Sequence, residues 1–99
     1  MSRAARVLAA PLLEAEVRAA FRREERPIDE TLFAPIAWIH PNRVLSAEIA
    51  SVLESGYVRG ADCWHLATAL FAAPVPAQAT FFTFDSRQGT VAKALGFRV

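Results

Sequence analysis

The chain is expected to fold as an α/β domain with a parallel sheet flanked by helices, and three observations lead there. Short apolar runs of strand length, at residues 36–40, 79–84 and 97–99, alternate with stretches whose apolar residues recur at helical spacing. Proline or glycine stands at the joints, as at Pro11, Pro27, Pro41, Gly56, Pro74 and Gly96. Ninety-nine residues, 54% of them hydrophobic and with mean hydropathy +0.23, can bury a single core, so residues 1–99 are read as one domain.

The elements follow in order. Residues 2–10 read as the last turns of a helix that Pro11 ends, because its ring and missing N–H disfavour continuation. Leu12 and Leu13 are too few to make a strand. Residues 14–25 carry Val17, Ala20 and Phe21 at helical spacing among charges, which predicts a surface helix with one apolar stripe. The run Arg22, Arg23, Glu24, Glu25, Arg26 before Pro27 reads as its solvated end. Residues 28–33 suit a short helix or turn, and 36–40 an edge or second-layer strand stopped by Pro41. A helix over 44–55 places Val44, Leu45, Ile49, Val52 and Leu53 on one face, with Asn42 as its cap and Gly56 at its C-terminal stop. Gly60 opens the next helix, 61–72, with Leu66, Ala69 and Leu70 facing inward and Pro74 closing it. After a loop at 74–77, residues 79–84 are expected as a buried strand, 90–95 as a helix stopped by Gly96, and 97–99 as a last strand.

Charge and composition narrow the function classes. A formal net charge of +1 and a pI near 8.0 give no strong field for nucleic acid or membranes, yet ten of the eleven basic residues are arginine, which suits bidentate phosphate contact. The one cysteine, Cys63, cannot form an internal disulfide and lies among helix residues as a packing residue, which fits a reducing cytoplasm. No apolar run approaches the ~18 residues of a membrane span, and the N-terminal residues break at Pro11 and turn acidic, so they read as neither signal peptide nor anchor.

Three acids occupy positions where an α/β layer gathers ligands. Asp62 falls in the first turn of its helix, Asp85 follows the apolar run Phe81, Phe82, Thr83, Phe84, and Glu16 sits one turn into the first full helix. Each has an ordinary explanation, since carboxylates at helix starts are stabilised by the dipole and by unpaired N–H groups. Helix N-termini and strand carboxyl ends share one rim of a parallel layer, however, and ligands bind at that rim.

The segments LLEAEVRAAFRRE, YVRGADCWHLATAL, FFTFDSR and AKALGFRV, in this order and spacing, resemble the PIN domain, especially VapC-type toxin ribonucleases. The likeness runs over nearly all of the chain and is strongest in GAD, HLA, T-x-D and the closing A-x-x-x-G. It implies a PIN-like three-layer fold in which acidic residues bind Mg²⁺ or Mn²⁺ and activate water to cleave RNA. Carried across, Glu16 matches the second acid, Asp62 the third and Asp85 the fourth, while Thr83 and Ser86 fall where the family has hydroxyls near the metal. The first acid of the family, which closes its opening central strand, has no counterpart before Glu16. The resemblance therefore implies an N-terminally truncated, partial domain. Either the true start lies upstream, or the missing segment comes from another polypeptide, or two chains exchange elements, because unpaired strand edges buried in a sheet cost ~1–3 kcal/mol per group.

Other polar residues receive plainer readings. His65 shares a helix side with Asp62, but Mg²⁺ prefers oxygen ligands, so His65 is read as structural, and His40 as a strand-end residue. Trp38 and Trp64 are read as core or dimer packing rather than base stacking. Arg59 and Arg87 either reach a phosphate or pair with the acids and ease their mutual repulsion.

Two functions of different class follow. One is an Mg²⁺-dependent endoribonuclease toxin, homodimeric and neutralised by a cognate antitoxin protein. The other is a truncated, inactive PIN-like module that acts through dimer or antitoxin binding. A third reading, an unrelated α/β domain whose acids are only caps, is the background against which both are tested.

Overall fold

A computed structural model describes residues 7–99. Among the described residues the chain is α/β, with four α-helices and a two-stranded parallel sheet, and it divides into two compact units, one ending at residue 40 and the other covering 41–99.

In the first unit, strand β1 (Val7–Ala9) pairs in parallel with β2 (Ile36–Trp38), in the register Val7 to Ile36, Leu8 to Ala37 and Ala9 to Trp38. The Ile39 N–H extends the ladder to the Ala9 carbonyl at 2.8 Å. Helix α1 (Leu12–Arg23) makes the crossover that a parallel pair requires. The expected helical ending over 2–10 is thus corrected where it can be seen. Residues 7–9 are a strand, because pairing with a distant apolar run outweighs a weak local helical pattern, and residues 2–6 lie outside the described residues. Pro11 begins α1 instead of ending an earlier helix, since at an N-cap no intrahelical N–H is lost.

The far end of α1 closes in a Schellman arrangement. The Arg26 N–H donates to the Phe21 carbonyl at 2.9 Å and the Glu25 N–H to that of Arg22 at 3.1 Å. Glu25 occupies the left-handed position, with φ of 54°, where glycine is the usual residue. A 3-10 turn (Glu30–Phe33), capped by the Asp29 carboxylate on the Thr31 N–H, leads into β2. Ala10 alone is buried among the described residues of this unit, and α1 buries none.

The second unit holds the hydrophobic core. Helices α2 (Ser46–Ser55), α3 (Gly60–Ala72) and α4 (Ser86–Ala94) enclose Leu45, Val52, Val58, Cys63, Leu66, Ala67, Val91, Ala92 and Phe97, with Leu66, Val52, Ala67 and Ala92 fully buried. On α3, Leu66 faces inward as expected, while Ala69 and Leu70 pack half-buried against this cluster. Leu45, not Asn42, caps α2, and it does so through no side-chain bond, because its apolar side chain is held in the core. Helix α4 starts four residues earlier than its apolar pattern suggests, and it ends in a second Schellman arrangement whose left-handed position is Gly96, φ 104°.

The largest departure is at residues 79–84. Among the described residues only Thr80 of this run bridges, to Arg98 in parallel, with the Phe81 N–H donating to the Arg98 carbonyl and the Arg98 N–H to that of Ala79. Phe82 and Phe84 are almost wholly exposed, so the expected buried strand is a half-paired edge. A run becomes a buried strand only when neighbours cover both edges and both faces, and here one edge has a single partner.

Candidate functional site

The second unit brings the starts of two helices together. Asp85 is the N-cap of α4, and its Oδ1 accepts from the Gln88 N–H at 3.0 Å. This is the ordinary cap role foreseen for a carboxylate after an apolar run. The Thr83 hydroxyl accepts from the Asp85 N–H at 3.0 Å and donates to Gln88 Oε1 at 2.7 Å. Gln88 Nε2 then donates, at a longer 3.4 Å, to the main-chain carbonyl of Asp62 in the first turn of α3. Gln88 is buried and joins the Thr83-to-Asp85 turn to the head of α3.

Sequence reasoning overlooked Gln88. An acid followed three residues later by Glu or Gln is a capping-box spacing, and Asp85 to Gln88 has it. Starting the helix at Thr90 hid the signal.

The remaining candidates divide by unit. Glu16 lies on α1 in the first unit, exposed and engaged, and Asp62 and Asp85 lie in the second. Asp62 is half-buried and Asp85 exposed. Ser86 opens α4 and its carbonyl accepts from the Thr90 hydroxyl at 2.8 Å. Arg59 precedes α3 in extended backbone and Arg87 lies in the first turn of α4, both exposed. Among the described residues neither arginine forms an ion pair, so the pairing of these arginines with the acids is not seen. Two open depressions flank the head of α4, one lined by Thr83, Phe84, Asp85, Lys93 and Arg98 and the other by Tyr57, Arg87 and Val91; Ser86 and Thr90 border both.

Other polar residues settle into structural places. Trp38 packs against Phe33 with ring centroids 6.0 Å apart, and Trp64 packs half-buried on the core. Cys63 is buried, and burial pushes its thiol pKa up, away from a reactive thiolate.

Asp62 and Asp85 are oxygen donors of the hard kind that Mg²⁺ selects, so the chemistry of this pair fits that ion. Among the described residues no group of three or more His, Cys, Asp or Glu side chains is placed to hold a metal ion, so no protein cage is preassembled. No helix among them is long and apolar enough to cross a membrane. The chain matches no protein-family profile, no curated protein and no solved structure.

Proposed function

We propose that the chain is a divalent-metal-dependent ribonuclease of the PIN type, hydrolysing RNA phosphodiester bonds at the rim where α3 and α4 begin. The observation that carries this reading is the Gln88 link, which ties the segment bearing Asp62 to the turn bearing Asp85 although 23 positions separate the two acids. Mg²⁺ is commonly held by one or two carboxylates together with substrate phosphates, so a two-acid rim suffices when the RNA brings the remaining oxygens. Asp62 and Asp85 would hold the ion, and Glu16 enters the proposal through the family resemblance alone. A bound Mg²⁺ or Mn²⁺ supplies an acidified water and stabilises charge on the attacking and leaving oxygens. Arg59 and Arg87, exposed and without ion pairs among the described residues, are cations available to orient a phosphate, as are Lys93 and Arg98 beside Asp85.

The test uses two isosteric variants, Asp62→Asn and Asp85→Asn. Asp85→Asn keeps a good helix cap while removing the charge, whereas Asp85→Ala removes both and should cost about 1 kcal/mol of stability. Cleavage of RNA that requires Mg²⁺ and is lost in Asp62→Asn and Asp85→Asn, at unchanged Tm, is the expected result. Cleavage that survives both substitutions, or that ignores EDTA, rejects the reading.

A second reading is favoured by the absence, among the described residues, of any three-ligand group. In it the chain is an inactive PIN-like module that works by binding, either to a second copy or to an antitoxin protein. Absence of Mg²⁺-dependent cleavage together with a stable complex would select it.

A further inference from the structure

We propose that Tyr57 and Phe84 are specificity-determining residues, each stacking one of the two bases that flank the scissile phosphate as a single strand crosses the head of α4. The proposal rests on the nuclease reading for the reaction and adds where the bases lie.

The winding of α4 supplies the first argument. Successive residues of an α-helix advance by about 100°. Ser86 and Thr90 therefore share one line along α4, with Arg87 and Val91 to one side of it and Gly89 and Lys93 to the other. The two depressions follow these lines. Ser86 and Thr90, small and exposed, border both, whereas Arg87 and Val91 line only the one of about 550 Å³, and Gly89 and Lys93 only the one of about 580 Å³. A low ridge of two hydroxyl side chains thus separates two hollows, each of a size that small ligands fill.

The contents of the hollows supply the second. Each holds one aromatic ring left in water and at least one cation: Tyr57, 68% exposed, with Arg87, and Phe84, fully exposed, with Lys93 and Arg98. Neither ring hangs from loose chain. Tyr57 is followed by the buried Val58, and Phe84 lies in the turn that the Thr83 hydroxyl closes by accepting from the Asp85 N–H at 3.0 Å. Rings on an anchored backbone lose less freedom when a ligand settles on them. Among the described residues Arg87, Lys93 and Arg98 form no ion pair, so their charges are open to phosphate oxygens.

Ring and cation together select an unpaired nucleic-acid strand as the occupant. A nucleotide presents a flat base to the ring and a phosphate to the cation at once, whereas an acidic peptide would meet the cations and leave the rings in water. In a duplex the bases stack on one another, so only a single strand can splay two of them across a ridge. Neighbouring bases are joined by one phosphate. With a base in each hollow that phosphate passes over Ser86, next to Asp85, where the proposed ion sits.

The first measurement is the affinity of chains carrying Asp62→Asn, which blocks cleavage, for a fluorescein-labelled single-stranded RNA of mixed sequence in Mg²⁺. Tyr57→Ala and Phe84→Ala should each weaken binding roughly 5- to 150-fold at unchanged Tm. Trp at either position should restore it, and Phe82→Ala, a ring 90% exposed but lining neither hollow, should leave it in place. The second measurement uses the cleaving chain and a strand cut at one bond. An abasic nucleotide on one side of that bond should slow cleavage by the same factor as Phe84→Ala and slow that variant no further, and the other side should stand in the same relation to Tyr57→Ala. Mg²⁺-dependent cleavage that neither ring variant alters overturns the two subsites and leaves the nuclease reading standing. Ring-dependent binding without cleavage by the wild-type chain rejects the nuclease reading and leaves the two base subsites standing. If the ring variants alter the sedimentation of the chain but not its affinity for RNA, the rings are protein contacts and the proposal fails.

Discussion

Both halves of the chain use one device, an arginine that grips a glutamate and lies over a phenylalanine ring, but on different foundations. In residues 7–40, Arg18 donates through Nε to Glu14 at 2.8 Å and through its two terminal nitrogens to Glu30 at 2.7 and 2.8 Å, and it sits 4.8 Å from the Phe33 ring centroid. In residues 41–99, Arg43 grips Glu48 and lies 5.2 Å from the Phe71 centroid. Phe71 packs against a core whose central residues are fully buried, whereas α1 buries nothing. Exposed ion pairs contribute little, and apolar burial contributes most of the stabilisation. The first unit is held at its surface and the second from within.

The comparison can be broken most forcefully in the core. Leu66→Ala empties a fully buried position and should cost about 2–5 kcal/mol, collapsing amide protection throughout residues 41–99 in hydrogen exchange. A loss confined to α3 would show that the second unit lacks a cooperative core. Gly56→Ala is the next largest. A Cβ there would stand 2.9 Å from Val91 Cγ2, a buried β-branched side chain with no room to yield, so about 1–3 kcal/mol should be lost in urea melts.

Smaller changes sharpen the contrast from the other side. Glu25 and Gly96 fill the same left-handed position at the ends of α1 and α4, and only one is glycine. Glu25→Gly relieves a strain of ~1–2 kcal/mol, partly offset by added freedom of the unfolded chain, so a net gain of up to about 1 kcal/mol is expected. Protection should rise in α1 and stay unchanged in α4. The smallest effect is acid titration. Hydrogen bonding from Arg18 holds the Glu30 carboxyl below its ordinary value of 4.5, and the Arg43 guanidinium does the same for Glu48. A depressed folded pKa means the stabilisation is complete above about pH 4.5 and fades as pH falls through the lower, folded value. Protection in α1, measured against the intrinsic exchange rate at each pH, should fall below that pH before protection in α3 does, and added salt should mimic the change. Equal sensitivity of both helices would remove the distinction.

Legibility in the sequence followed the same division. Helix α3 was read almost to the residue, because Gly60 opens it and a dense apolar face fills it. Cys63 was read as a packing residue and is buried. Asp62 was placed in the first turn of a helix and lies there, whereas Asp85, read as following a strand, is the N-cap of α4. Two errors share a cause: β1 was taken for helix and residues 79–84 for a buried strand. Strand character depends on a partner distant in the chain, and no local pattern reveals whether that partner is present. Gln88 was missed because the helix was started at Thr90, which hid its capping spacing from Asp85, while its bond across to Asp62, 26 residues away, has no local signal.

Local chemistry written into the chain was enough to decide where α3 runs, that Leu45, Val52 and Leu66 lie in the core, and that Asp62 stands in the first turn of a helix, though Val44 and Leu53 of the expected inward face are exposed. These depend on spacing, propensity and capping over a few residues, and such forces act within one turn. Only the tertiary structure decided which strands pair, that Gln88 joins the Asp85 turn to α3, and that Phe82 and Phe84 are left in water. Those outcomes depend on which distant segments meet, and a residue's burial is a property of its neighbours more than of itself.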